Sequence, residues 1–144
     1  MADKNVWNIE PANEKMPIEL LNEYAASFNE TFKNKLIAEI KEKFVDEQPD
    51  PWAGLEFIQK KEQQEKIREL RFDIVVPSLG KYRLGLIKLS YRLSQGYPCT
   101  AENLVTDAAG KECSSSAELD ESIEKIVKSD EVKKSISVLL SQTA

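Results

Sequence analysis

The stretch RFDIVVPSLGKYRLGLIKLSYRL, residues 71–93, constrains the fold more than any other part of the chain. Leu70, Phe72, Ile74 and Val76 alternate with Arg71, Asp73 and Val75, the period of two that marks a half-buried strand. Pro77 cannot donate to a ladder and Gly80 tolerates a positive φ, so PSLGK reads as the turn out of that strand. Beyond the turn, two alternations run out of phase. Tyr82, Leu84 and Leu86 share one parity, whereas Ile87, Leu89, Tyr91 and Leu93 share the other. A flat strand buries only one parity, so the pattern predicts a β-bulge at Gly85–Leu86, where one extra residue switches the phase. Tyr82, Leu84, Ile87, Leu89, Tyr91 and Leu93 then face inward, and Lys81, Arg83, Lys88, Ser90 and Arg92 face outward. A helix over 84–95 is the competing reading, since Leu86, Leu89 and Leu93 also fit a helical stripe. Tyr and Ile favour the strand, and the preceding strand requires a partner.

Upstream, residues 1–16 lack periodicity and read as a loosely ordered arm, with Val6, Trp7 and Ile9 available to dock on the body. Pro17 suits the first position of a helix, where its missing N–H is not needed. Apolar residues then recur at spacings of three and four through Leu21, Tyr24, Phe28, Phe32, Leu36, Ile40 and Phe44. No Gly or Pro interrupts this run before Pro49, which predicts one helix of nearly thirty residues, ~40–45 Å long. Such a helix outreaches a small domain, so one end is expected to project and offer its stripe to another molecule. Asp50 and Pro51 resemble the cap and first position of a shorter helix that buries Trp52, Leu55 and Ile58. QKKEQQEK, at 59–66, is polar on every side and reads as a solvated turn or loop.

Downstream, a third strand is expected within 98–106, followed by a loop through DAAGKECSS. Ser115 and Glu118 form an S-x-x-E capping box ahead of Leu119, Ile123, Ile126 and Val127. Ser129, followed by Asp130 and Glu131, begins a second run through Val132, Ile136, Leu139 and Leu140. The expected architecture is therefore a single α+β domain over residues 1–144. A small antiparallel β-meander of about three strands packs on the long N-terminal helix, and a C-terminal helical pair closes the core.

Charge is segregated along the chain. Residues 1–50 carry 11 acids against 6 bases, residues 51–98 carry 5 against 9, and residues 99–144 carry 9 against 5. The outward face of the strand at 81–92 holds Lys81, Arg83, Lys88 and Arg92 and no acid, which makes these four the candidate anion- or partner-binding residues. The alternative is a solvated face whose charges protect a sheet edge. Nucleic acid is disfavoured as the anion, because the net charge is −5 and the bulged strand turns Tyr82 and Tyr91, the stacking side chains, inward.

No histidine occurs anywhere, which removes Ser–His and Cys–His nucleophiles and His-ligated zinc. No G-x-G-x-x-G or G-x-x-x-x-G-K-[ST] loop is present. Most acids sit on polar helix faces. Asp73 is the exception, placed mid-strand beside Arg71, where a cross-strand ion pair with Arg83 or Lys88 is expected. No catalytic, metal or cofactor residue is assigned. Cys99 and Cys113 read as free thiols, either a redox pair or nucleophile, or two small side chains at the edge of a core. With no apolar run of ~20 residues and no apolar leader, the expected setting is cytoplasmic and away from membranes. The functional expectation is a non-enzymatic protein-interaction or regulatory module that binds another protein or itself, as in a homodimer. The alternative is a nucleic-acid-associated regulator using Arg83, Lys88 and Arg92.

Overall fold

A computed structural model describes residues 5–46 and 66–143. Helix α1 spans Pro17–Phe32, with Pro17 in the first turn as its fixed φ favours. It buries Leu20, Leu21 and Ala25, and sets the Phe28 ring edge-on to Phe72 at 6.1 Å. The helix stops there. Lys33 and Asn34 both adopt positive φ, 42° and 73°, and no helix continues through two left-handed residues.

The single long helix is thus corrected to a 16-residue helix of about 24 Å followed by a strand. Strand β1 is Ile37–Asp46. Within it the burial pattern has period two: Leu36 and Ala38 are buried and Ile40 packs against the core, with Glu39 and Lys41 on the opposite face. The Asn29 side chain holds the edge of this strand to α1. Its Oδ1 accepts from the Ala38 N–H at 2.7 Å, and its Nδ2 donates to the Ala38 carbonyl at 3.4 Å. That pair of bonds does for Ala38 what a neighbouring strand would otherwise do.

Four further strands follow: β2 (Lys66–Val76), β3 (Tyr82–Arg92), β4 (Cys99–Asn103) and β5 (Lys111–Cys113). All pair antiparallel in the order β1-β2-β3-β4-β5. Among the described residues the meander is therefore five-stranded rather than three-stranded. The two strands missed are β1, read as helix, and β5, three residues too short to show an alternation. The β2–β3 turn uses Gly80 and Lys81 at φ 65° and 60°. The expected helix at Asp50–Ile58 and all but Lys66 of the polar run at 59–66 lie outside the described residues.

The bulge falls at the expected place. Phe72 pairs with Ile87, but Asp73 pairs with Gly85, so Leu86 is the extra residue. Leu86 and Ile87 are both buried, and the Leu86 carbonyl accepts from the Leu104 N–H at 2.9 Å, so the bulge leaves neither an exposed apolar residue nor an idle carbonyl. Gly85 leaves room for Arg71: a Cβ there would lie 2.3 Å from Nη2 of that side chain, so a larger residue would push aside the guanidinium that passes over the bulge. Ile87, Leu89 and Tyr91 face the core as expected, and Leu84 packs against it. Tyr82 and Leu93, also expected inside, are instead 50% and 44% exposed, because they lie at the strand ends beyond full helical cover.

Helices α2 (Ser116–Val127) and α3 (Asp130–Ser141) form the C-terminal pair. Their caps are those the sequence implies. Ser115 Oγ accepts from Glu118 N–H at 3.2 Å, Glu118 Oε2 accepts from Ser114 N–H at 2.6 Å, and Ser129 Oγ accepts from Val132 N–H at 3.4 Å. Leu119 and Ile123 of α2 and Val132 and Leu139 of α3 join the core that α1 and the inner sheet face begin. The arm is tied down only from Glu14 onward, where Glu14 Oε1 accepts from Ser116 N–H at 2.6 Å and the Lys15 carbonyl accepts from Tyr97 Oη at 2.6 Å. Val6, Trp7 and Ile9 do not dock on the body; Trp7 is 80% exposed. Among the described residues no helix is long and apolar enough to cross a membrane.

Candidate functional site

The bulge keeps Arg83, Lys88 and Arg92 on one face. Arg83 pairs with Val75, Lys88 with Arg71 and Arg92 with Ile67, and these β2 residues share a parity along an unbroken strand. The structure therefore brings three of the four candidate cations together on the outer sheet face. Lys81 stands apart in the β2–β3 turn.

That face is not a bare cationic strip, because β1 and β2 contribute acids to it. Asp73 sits at its centre, only 2% exposed. Its Oδ1 accepts from Arg71 Nε at 2.7 Å and its Oδ2 from Arg83 Nη1 at 3.4 Å. Arg83 also bonds Glu39 across two strands, and Lys88 lies 3.6 Å from Glu69. A buried carboxylate is tolerable when cations face it on two sides. Of the two cross-strand partners expected for Asp73, Arg83 reaches it and Lys88 pairs with Glu69 instead; the roles of Arg71 and Glu39 were not legible in the sequence. The signal for Glu39 was its alternation with Ala38 and Ile40, which the helical reading of that segment concealed. Arg92 lines a separate hollow of about 400 Å³ together with Ser90, Thr100 and Glu112.

A wider hollow than this lies elsewhere. A groove of about 530 Å³ runs between α3 and the β2–β3 turn. Leu79, Tyr82 and Leu84 form one wall. The other is α3, where Lys134, Val138 and Gln142 recur every four residues, so they lie along one face of the helix, beside Ser135 and Leu139. The groove arises because the first residues of β3 extend past the packed part of the sheet, while α3 turns Val132 and Leu139 to the core. Tyr82 and Val138, on opposite walls, are each half-exposed. No local pattern in the sequence announces this groove, because its two walls are separated by some fifty residues.

Cys99 and Cys113 are both fully buried and face each other across β4 and β5. Burial, with the neighbouring Cys113 second, pushes the Cys99 thiol up to about 12. At neutral pH it is protonated, the opposite of the activated thiolate that cysteine catalysis uses. The Cys113 thiol donates to Ser122 Oγ at 3.3 Å. Tyr24 Oη donates to Asp120 Oδ1 at 2.7 Å, which joins α1 to α2; burial and that carboxylate raise the phenol's pKa. Among the described residues no group of three carboxylates or thiols is placed to hold a metal ion. The chain matches no protein-family model, and comparison with curated proteins and with solved structures returns no match.

Proposed function

We propose that this protein is a non-enzymatic protein-interaction module. Its groove between α3 and the β2–β3 turn takes a short partner segment that carries apolar anchors flanked by carboxylates. The observation that carries this reading is the pair Tyr82 and Val138, both half-exposed and both lining the groove of about 530 Å³. Concave apolar surface of this kind marks binding sites more often than scattered exposed side chains do. Lys134 in the wall sets positive charge beside the apolar surface, which favours acidic flanks on the segment. The outer sheet face supports a nucleic-acid role less well, since a phosphate reaching Arg83 or Lys88 has to displace Glu39, Asp73 or Glu69.

The test is selection of a random dodecapeptide library on the immobilised full chain, with Val138→Asp and Tyr82→Ser as counter-targets and circular dichroism to confirm their fold. The expected result is an enriched pattern of apolar anchors with Asp or Glu, lost on both variants. Enrichment that ignores both substitutions, or no enrichment, contradicts the reading. The chain's own segment Val6–Glu14, with Trp7 and Ile9 exposed and Glu10 and Glu14 following, serves as a further probe. If it binds in place of library peptides, the groove belongs to self-association rather than to another protein.

A further inference from the structure

The two cysteines form a pair of reactive side chains that the interaction surface leaves unused. Their spacing follows from the ladder. The Leu104 N–H bonds the Leu86 carbonyl just beyond the last β3–β4 pair, Ile87↔Asn103. Hydrogen-bonded and non-hydrogen-bonded pairs alternate from there, so Tyr91↔Cys99 is a non-hydrogen-bonded pair. The backbone N–H and carbonyl of Cys99 therefore face β5, and Cys99↔Cys113 is a hydrogen-bonded pair. In such a pair the Cα atoms lie about 5.5 Å apart, within the range that disulfides occupy. In a hydrogen-bonded pair the Cβ atoms stand at the wide end of the range for directly opposed residues, roughly 5.5 Å, about 1 Å more than a disulfide spans, so closure requires a strand to shift. The partner that has to move is β5, three residues long and at the edge of the described sheet.

We propose that Cys99 and Cys113 are a reversible dithiol–disulfide couple that staples β5 to β4. The oxidant is a low-molecular-weight disulfide. One protein thiolate attacks it, its S–S bond breaks, and one small thiolate leaves. The second protein thiolate then attacks the mixed disulfide, closing Cys99–Cys113 and expelling the second small thiolate. The protein loses two protons and two electrons, and the reagent's two sulfurs are reduced to thiols. Both sulfurs are buried, so the first attack awaits fraying of the edge strand, and the rate scales with the fraction of chains open as well as with reagent concentration. Closure also removes the hydrogen that Cys113 donates to Ser122, and so is felt at the face where α2 meets the sheet.

Full-length protein is equilibrated in reduced and oxidised glutathione at several ratios, with and without urea. It is then quenched with an alkylating agent under denaturing conditions and read by intact mass and peptide mapping. The expected product has lost two hydrogens, resists alkylation, carries a Cys99–Cys113 cross-link and reverts with dithiothreitol. It forms in the native chain at a several-fold lower ratio of oxidised to reduced glutathione than in urea. Cys99→Ser and Cys113→Ser each fail to give the cross-link and retain one modifiable thiol. The proposal is overturned if the native chain stays reduced, or stops at a glutathione adduct, at ratios that cross-link the chain in urea.

Discussion

The two faces of the sheet are built from the same strands by opposite means. On the inner face, rows such as Ile40–Phe72–Ile87 put apolar side chains side by side beneath the helices. On the outer face, rows such as Glu39–Asp73 and Lys41–Arg71–Lys88–Glu102 put charges side by side. The inner face gains stability by removing surface from water, an effect that is non-directional and scales with area. The outer face depends on geometry: a buried Asp73 is stable only while Arg71 and Arg83 reach it. The comparison also bears on the proposed binding surface. Where Glu39, Asp73 and Glu69 already hold Arg83 and Lys88, those two cations have less to offer an outside ligand. The inner face, where it extends past its helices, leaves Tyr82 and Leu84 against the groove.

Substitutions sharpen this contrast in order of size. Phe72→Ala removes a fully packed ring and its edge contact with Phe28, and is expected to cost about 3–5 kcal/mol in denaturant unfolding. Asp73→Asn keeps the shape and loses the charge that Arg71 and Arg83 address. A loss of about 1–3 kcal/mol is expected, smaller than for Phe72 because both guanidinium groups retain access to water. If Asp73→Asn proves the costlier change, the outer face and not the core is the stabilising one.

The third expectation concerns pH. Burial raises Cys99 from 9.0 to about 12, so between those values the unfolded chain is deprotonated while the native chain keeps its proton. Stability from this group is complete below pH 9 and declines as pH rises toward 12, by up to ~1.4 kcal/mol for each pH unit. Urea unfolding from pH 7 to pH 11 measures the decline, and Cys99→Ala is expected to make it shallower. An unchanged slope in the variant removes the buried thiol from the account. The smallest effect is expected at Lys88→Ala. Its 3.6 Å pairing with Glu69 is partly open to solvent and contributes at most ~1 kcal/mol, diminishing in high salt.

The parts of this fold legible in the sequence are those set by local chemistry. The bulge shows because two alternations meet out of phase at a glycine, and the caps of α2 and α3 show because Ser115, Glu118 and Ser129 stand at fixed offsets from apolar runs. Strand β1 does not show, because Leu36, Ile40 and Phe44 satisfy a helical spacing as well as an alternation. The break before it is made by Lys33 and Asn34 rather than by Gly or Pro. That one ambiguity also hid the charge balance of the outer face, since Glu39 counts as a neighbour of Arg83 only once β1 joins the sheet. The groove was out of reach for a different reason: its walls come from distant segments, and only packing brings them together.

The central claim is that ligands are taken by the groove and not by the outer sheet face. An amide NMR titration of the full chain tests it with two probes at the same low ionic strength: a dodecapeptide selected as above, and a single-stranded thymine oligonucleotide. The expected result is that the peptide shifts Tyr82, Leu84, Val138 and Leu139, while the oligonucleotide leaves Arg83, Lys88 and Arg92 unmoved. Oligonucleotide-dependent shifts at Arg83, Lys88 and Arg92 that fade with added salt, with the groove residues silent to the peptide, contradict it.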